Sequence, residues 1–296
     1  MKSIAENGLL QVHPVLVVDN ASGDDSLPQL RAWVSELGME ERVQVLDAGR
    51  NAGFGAGNNV GAAKVLSGSV KPDILWLLNP DTLVDPIDLG PALRWFEEDP
   101  SVGIVGTGVI DGDGEQDLAG HREILPITEW IKNAGAFGML RRWAVSDASL
   151  NRPGPVDWVS GASLLIRTKV FEELGGFDEG FFLYFEEVDL CRRARHAGWK
   201  VIYEPRSRIV HLEGKTTGVD KTKPMPRYWY DSRRRFFVKH GGIRGLWAAD
   251  LAWTLGRGIG MLRGRGPSSC RGRDLWSSDL PVLLGQEKLD RKHIRG

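Results

Sequence analysis

The chain has 296 residues, 42% of them apolar, enough to bury the core of one large domain or two small ones; neither an unfolded tail nor a disulfide-stapled miniprotein fits. Its two cysteines, Cys191 and Cys270, stand far apart without a C-x-x-C pair, which predicts no disulfide framework, no zinc cluster and a reducing, cytoplasmic setting. The formal charge of −1 conceals an asymmetry, because eleven Lys/Arg face only two Asp between Arg227 and Arg273, a net of +9.

Short apolar runs alternate with helical patterns from the start of the chain. Val15–Val18 reads as a buried strand, and Ser26 with Gln29 as a capping box opening a helix whose Leu27, Leu30, Val34 and Leu37 share a face before Gly38. Val43–Leu46 is a second strand, followed by the glycine-rich Asn51–Gly61 and a helical pattern to Leu66. Ile74–Leu78 is a third, wholly apolar strand ending at Asn79-Pro80-Asp81. Repeated units of this kind predict an α/β fold, a mostly parallel sheet between helix layers, with ligands beyond the carboxyl ends of the strands. Asp19-Asn20, Arg50-Asn51 and Asn79-Asp81 then fall on one rim.

A Pro/Gly-punctuated stretch, Gly103–Pro155, reads as loops with one or two helices and separates this half from Val156–Arg167, which reads as one strand. Thr168 is placed to cap a helix to Leu174. Glu186–Ala197 is a further helix with acids in its first turn, arginines later and Gly198 beyond its end. Lys200–Tyr203 and Arg208–Leu212 read as closing strands. The pattern divides the chain into a domain over residues 1–215 and a basic, partly amphipathic helical region over residues 216–296. In the latter, Trp247, Leu251, Leu255, Ile259 and Leu262 form a stripe at helical spacing beside Arg244, Arg257 and Arg263, suited either to packing on the main domain or to lying on a membrane. No stretch approaches the roughly 20 apolar residues needed to cross a bilayer, and no secretory pattern opens the chain.

Five segments in register carry a resemblance: Val17–Ser26 (VVDNASGDDS), Arg50–Gly61 (RNAGFGAGNNVG), Trp76–Thr82 (WLLNPDT), Val156–Trp199, which contains FEEVDL, and Ile209–Gly214 (IVHLEG). Over roughly residues 10 to 240 the chain resembles the family-2 inverting glycosyltransferases of the GT-A fold, in their rhamnosyltransferase-like branch. The resemblance implies a sugar transferred from a nucleoside-diphosphate donor, most plausibly dTDP-L-rhamnose or a UDP-sugar, to a cell-envelope polysaccharide or lipid-linked acceptor.

The departing diphosphate develops negative charge that a divalent cation can neutralise, and a hard cation takes oxygen ligands. Asp81 corresponds to the last aspartate of the family's D-x-D motif, Asn79 stands in for the first, and His211 matches a third metal ligand, a set suited to Mn²⁺ or Mg²⁺. Taken alone, Asn79–Thr82 reads as a turn and His211 as a core histidine. Inverting transfer needs one carboxylate to take the acceptor hydroxyl's proton. Glu187 aligns with the aspartate of the family's Glu-Asp pair, one methylene longer and therefore about 1.5 Å further from the backbone, with Glu186 as the alternative. Both also serve as charge complements to a helix N-terminus; Asp189 can pair with Arg193 one turn on.

Asp19, Asn20, Arg50, Asn51 and Gly53 correspond to donor contacts at the pyrimidine base and ribose, and Trp158, Ser160 and Gly161 to the acceptor and sugar pocket. The glycines after Arg50 do not form a dinucleotide fingerprint, since Val60 occupies the last glycine position, which disfavours a nicotinamide oxidoreductase. Nucleic-acid binding through Arg233–Arg235 lacks a recognition motif. The family opens with an apolar central strand that is not among the fourteen residues before Val15, which predicts a product beginning roughly 30 to 40 residues earlier, the span of a strand, turn and helix. That departure and the Glu187 change leave one rival from another class, a non-catalytic family member that binds or scaffolds.

Overall fold

The structure is a computed structural model and describes residues 2–6, 9–84, 88–112, 114, 116–117, 120–135, 152–212, 225–264 and 270–284. The domain boundary expected at 215/216, and the Glu213-Gly214 end of the last motif, lie outside the described residues.

Two short helices, α1 (Lys2–Glu6) and α2 (Leu9–Val12), precede β1 (Val15–Asp19), α3 (Ser26–Glu36), β2 (Val43–Asp47), α4 (Phe54–Leu66) and β3 (Ile74–Leu78). There follow β4 (Thr82–Leu83), α5 (Gly90–Glu98), β5 (Val102–Ile110), β6 (Gln116–Asp117), β7 (Gly120–His121), α6 (Pro126–Ala134), β8 (Gly154–Pro155), β9 (Trp158–Val159), β10 (Ser163–Arg167) and α7 (Thr168–Glu173). The chain closes with α8 (Glu186–His196), β11 (Lys200–His211), α9 (Arg227–Leu262) and α10 (Gly272–Leu283).

The main sheet runs β3-β10-β5-β11-β4 and is mixed rather than mostly parallel. β5 and β11 are parallel, whereas β10 runs antiparallel to both β3 and β5, and β4 runs antiparallel to β11. Burial on both faces makes a strand continuously apolar whichever way its neighbours run, so apolar patterning could not reveal strand direction. β1 and β2 pair in parallel as a separate two-stranded sheet. Among the described residues, β1 and β3 each have one edge without a strand partner.

Alternation decides which layer covers which face. Leu164 and Ile166 of β10 join Val170, Phe171, Leu190 and Ala194 of α7 and α8 in the principal core, while Leu165 between them packs with Ala92 and Phe96 of α5. The Gly103–Pro155 stretch, expected as loops with one or two helices, supplies β5, the middle strand of the main sheet, besides α6, because glycines there let neighbouring side chains pack against the strand. Three local expectations are also corrected. The Val156–Arg167 strand is divided into β9 and β10 by a turn at 160–162, and Lys200–Tyr203 with Arg208–Leu212 form one strand, β11, interrupted by a bulge between Glu204 and Arg208. The N-caps of α3 and α7 are Asp25 and Arg167, one residue ahead of Ser26 and Thr168, because the Thr168 hydroxyl donates instead to the Pro72 carbonyl.

The basic region forms α9 and α10. α9 is two helices joined at Gly242, whose φ of 62° and ψ of −169° break the helical path, a conformation that glycine adopts without a Cβ clash. Its second half packs on α6, with Leu246, Ala249, Trp253, Gly256 and Gly260 turned inward.

Candidate active site

The site is built where β3 ends. Asp81 follows β3 and His211 ends β11, and their side chains meet at 3.1 Å between His211 Nε2 and Asp81 Oδ1 across 130 residues of sequence. Both are mostly enclosed, with side-chain exposures of 17% for His211 and 10% for Asp81. The pairing of His211 with Thr82 across β11 and β4 fixes this approach, and the Leu212 amide donates to the Asp81 carbonyl at 2.9 Å. Two residues before Asp81, Asn79 has a buried Oδ1 without a hydrogen-bond partner. A carboxylate, an imidazole and an uncommitted amide oxygen are a donor set that fits a hard divalent cation, provided the remaining positions come from phosphate oxygens or water. Among the described residues, no cluster of three or more His, Cys, Asp or Glu is arranged to hold a metal.

A chain of contacts leads from this end to the carboxylates. The Asn79 amide donates to the Ala162 carbonyl at 3.0 Å, and Gly161 beside it lies against Glu187. A Cβ on Gly161 would sit 3.3 Å from the Phe54 ring and 3.7 Å from Glu187 Cβ, so the turn dividing β9 from β10 is held close to the start of α8. Glu187 is half-buried and Glu186 buried; each has a buried Oε2 with no partner. Burial raises the Glu187 carboxyl to about 7. Burial, reinforced by the Glu187 charge, pushes Glu186 well above the usual carboxylate range. Glu187 is the less enclosed of the two and the one against Gly161. Tyr184 and Phe185 enter α8 with φ of 70° each, a left-handed conformation that costs an aromatic residue of order 1–3 kcal/mol and persists only where packing holds it. Phe185 is held by the rings of Trp229 and Phe236 on α9, with centroids 5.9 and 5.6 Å away.

The residues expected to contact the donor form a third group. Asn20 Nδ2 donates to Asn51 Oδ1 at 3.2 Å and to the Gly53 carbonyl at 3.0 Å, while Asn51 Oδ1 also accepts from the Gly53 amide at 3.1 Å. Gly53 has a φ of 99°, and a Cβ there would fall 2.1 Å from the Phe182 carbonyl oxygen, so only glycine fits. The next amide, Phe54, donates to that same oxygen at 2.9 Å, tying the donor loop to the segment leading into α8. Asp19 is buried, with Oδ2 accepting from the Ser22 amide at 3.0 Å. The buried Oδ1 of Asn20 has no partner. Arg50 is exposed at the edge of the group.

Residues 1–228 match the family described as glycosyltransferase like family 2. The chain belongs to that family. It is 31% identical over 256 residues, 81% of this chain and 79% of the other, to the N-acetylglucosaminyl-diphospho-decaprenol L-rhamnosyltransferase of Mycobacterium tuberculosis H37Rv. It is 28% identical over 164 residues, 54% of this chain and 60% of the other, to rhamnosyltransferase WbbL of Escherichia coli K12. Among solved structures, a mannosyltransferase from Pyrobaculum calidifontis with GDP-mannose and Mn²⁺ superposes with a TM-score of 0.52 at 16% identity, covering 99% of this chain and 78% of that one. GalNAc-T7 with UDP, GalNAc and Mn²⁺ superposes with a TM-score of 0.53 at 16% identity; the match covers 95% of this chain and spans about half, 54%, of the other. These likenesses establish the GT-A fold.

In this family-2 glycosyltransferase the residues expected on the acceptor side are tied to the scaffold. Trp158 Nε1 donates to the Arg122 carbonyl at 2.8 Å, and its ring stacks on His121 with centroids 3.9 Å apart. Ser160 Oγ accepts from the Ala162 amide at 3.2 Å, holding the turn that presents Gly161. The expected Asp189–Arg193 pair is present at 2.7 Å, but Asp189 has further partners that sequence spacing could not reveal: Lys239 Nζ at 2.9 Å and His240 Nε2 at 2.9 Å, both from α9. Lys239 also reaches Asp178, as does Arg235, so α9 fastens both the loop before α8 and α8 itself.

Proposed function

We propose that the chain transfers a sugar, with L-rhamnose from a dTDP donor as the first candidate, onto a cell-envelope polysaccharide or lipid-linked acceptor. The convergence of Asp81 and His211 beside the uncommitted Asn79 oxygen carries this reading. The two rhamnosyltransferase relatives favour the sugar.

Asp81, His211 and Asn79 are the residues that would hold a Mn²⁺ or Mg²⁺ ion. Such a cation neutralises charge on the departing diphosphate. Asp19, Asn20, Asn51 and the backbone at Gly53, with exposed Arg50 beside them, bind and orient the nucleoside. Gly161 brings the turn between β9 and β10 close against Glu187, and Trp158 and Ser160 frame the acceptor side.

In the transfer, the acceptor oxygen attacks the anomeric carbon, the bond from that carbon to the diphosphate oxygen breaks, and the hydroxyl proton passes to Glu187. A base that titrates at about 7 is matched to this work near neutral pH, because it is partly ionised and still basic enough to accept the proton. Burial of Glu186 alongside keeps one proton on the pair. The test is consumption of dTDP-L-rhamnose and a panel of UDP-sugars, with Mn²⁺ and with a chelator. Turnover of one donor that stops with chelator supports the reading; tight donor binding without turnover of any donor, with every acceptor class supplied, points to a binding protein.

A further inference from the structure

The second half of α9 has two apolar faces, and only one is covered. Leu246, Ala249, Trp253, Gly256 and Gly260 are buried, and at Gly256 a Cβ would fall 2.6 Å from the Trp130 carbonyl oxygen of α6. On the other side Ile243, Trp247, Leu251 and Leu255 follow at four-residue spacing with exposures of 38, 43, 52 and 54%, and Met261 and Leu262 extend them at 57 and 90%. The patch continues onto α10. Trp276 meets Trp247 with ring centroids 5.9 Å apart and anchors its Nε1 on Thr254 Oγ1 at 3.0 Å, and Leu280 and Leu284, 40 and 57% exposed, continue its face at the same spacing. A contiguous apolar surface of this extent marks an interaction site.

The charges around the patch identify its occupant. Of the four acids of these two helices, Asp250 and Asp279 are fully buried and face Arg233, at 2.6 and 3.7 Å, while the partly exposed Asp231 and Asp274 lie beside Arg234 at 2.6 Å and Arg273 at 3.7 Å. Arg244, Arg271 and Arg273 are exposed. An apolar strip carrying tryptophans and rimmed by outward arginines complements an anionic lipid surface, where the rings sit at headgroup depth and the arginines meet phosphates. A second copy of the chain would bring these arginines against one another. No described helix is long and apolar enough to cross a membrane, so the surface would lie along the interface.

We infer that the Ile243–Leu262 face of α9, together with Trp276, Leu280 and Leu284 of α10, docks the enzyme on an anionic lipid bilayer. This goes beyond the transfer reaction and is measured without donor or acceptor. The experiment is flotation of the full chain with vesicles of phosphatidylcholine alone and of phosphatidylcholine with phosphatidylglycerol, alongside tryptophan emission. Binding to the mixed vesicles with a blue shift, weakened by salt, is the expected result. Leu251→Asp with Leu255→Asp should weaken binding by at least ~10-fold, and Arg271→Gln or Arg273→Gln by roughly five-fold each. Both leucines being half-exposed, circular dichroism and thermal melting should not change. No binding by the native chain, or equal binding by the leucine variants, overturns the inference. Concentration-dependent self-association that the leucine variants abolish, without vesicle binding, overturns it in favour of a second copy. Donor consumption in buffer, read in parallel, reports on the transferase reading alone.

Discussion

The glutamate pair Glu186-Glu187 and Asp189, all in the first turn of α8, are treated in opposite ways. Glu186 and Glu187 open the helix without a cation beside them, and burial drives both towards the protonated form. Asp189 is at least as buried, and burial alone would raise it too; His240, Arg193 and Lys239 outweigh that and hold it well below the usual carboxylate range. The difference teaches that burial does not separate the proposed base from a structural acid here. The partners do, and they come from α9, which supplies cations to Asp178 and Asp189 and apolar rings to Phe185 but no counter-charge to Glu187.

The contrast is most severely tested at Glu187. Replacing it with Gln keeps the shape and removes the base, so kcat for transfer should fall by roughly 10²–10⁴-fold while donor affinity measured by calorimetry stays within about two-fold. Retained turnover would shift the base to Glu186. The paired side of the comparison predicts a stability effect instead: Asp189→Asn leaves Arg193, Lys239 and His240 facing a neutral group and should cost about 3–5 kcal/mol in urea unfolding. A loss under about 1 kcal/mol would show that α9 does not fasten α8 through this residue.

Opposite signs with pH sharpen the comparison further. Glu187 has a raised folded-state value, so ionising it destabilises the fold, and stability is lost as pH rises through about 7. Glu187→Gln should therefore be more stable than the native chain by roughly 1–3 kcal/mol at about pH 8, with the gain disappearing towards about pH 4. Asp189 has a lowered value, so its contribution is present above the unfolded carboxylate range and lost only as pH falls below it. The mildest effect is kinetic: kcat/KM of the native enzyme should rise with pH through a midpoint near about 7, and a flat profile down to about pH 5 would remove Glu187 as the group being titrated.

Much of this was legible in the sequence where the signal was local. The strand at Ile74–Leu78, the helix opening at Glu186 and the Asp189–Arg193 pair follow from apolar runs, first-turn acids and four-residue spacing. The Asp81–His211 encounter was available only through the motif order, because nothing between these two positions, 130 apart in sequence, encodes it locally. Strand direction, the division of Val156–Arg167 at a turn, and the left-handed Tyr184 and Phe185 were not legible: each is imposed by packing against distant elements. The stripe on α9 was read with two alternatives, and the structure shows why both arose. One face of that helix packs on α6 and the neighbouring face stays exposed.

The most direct test of the account is a calorimetric titration of dTDP and UDP, with and without Mn²⁺, into the native chain and into Asp81→Ala and His211→Ala. If these two side chains share a cation that grips the donor's phosphates, Mn²⁺ should tighten nucleotide binding by at least ~10-fold in the native chain, and either substitution should abolish that gain while leaving metal-free binding unchanged. An equal Mn²⁺ effect in all three proteins would contradict it.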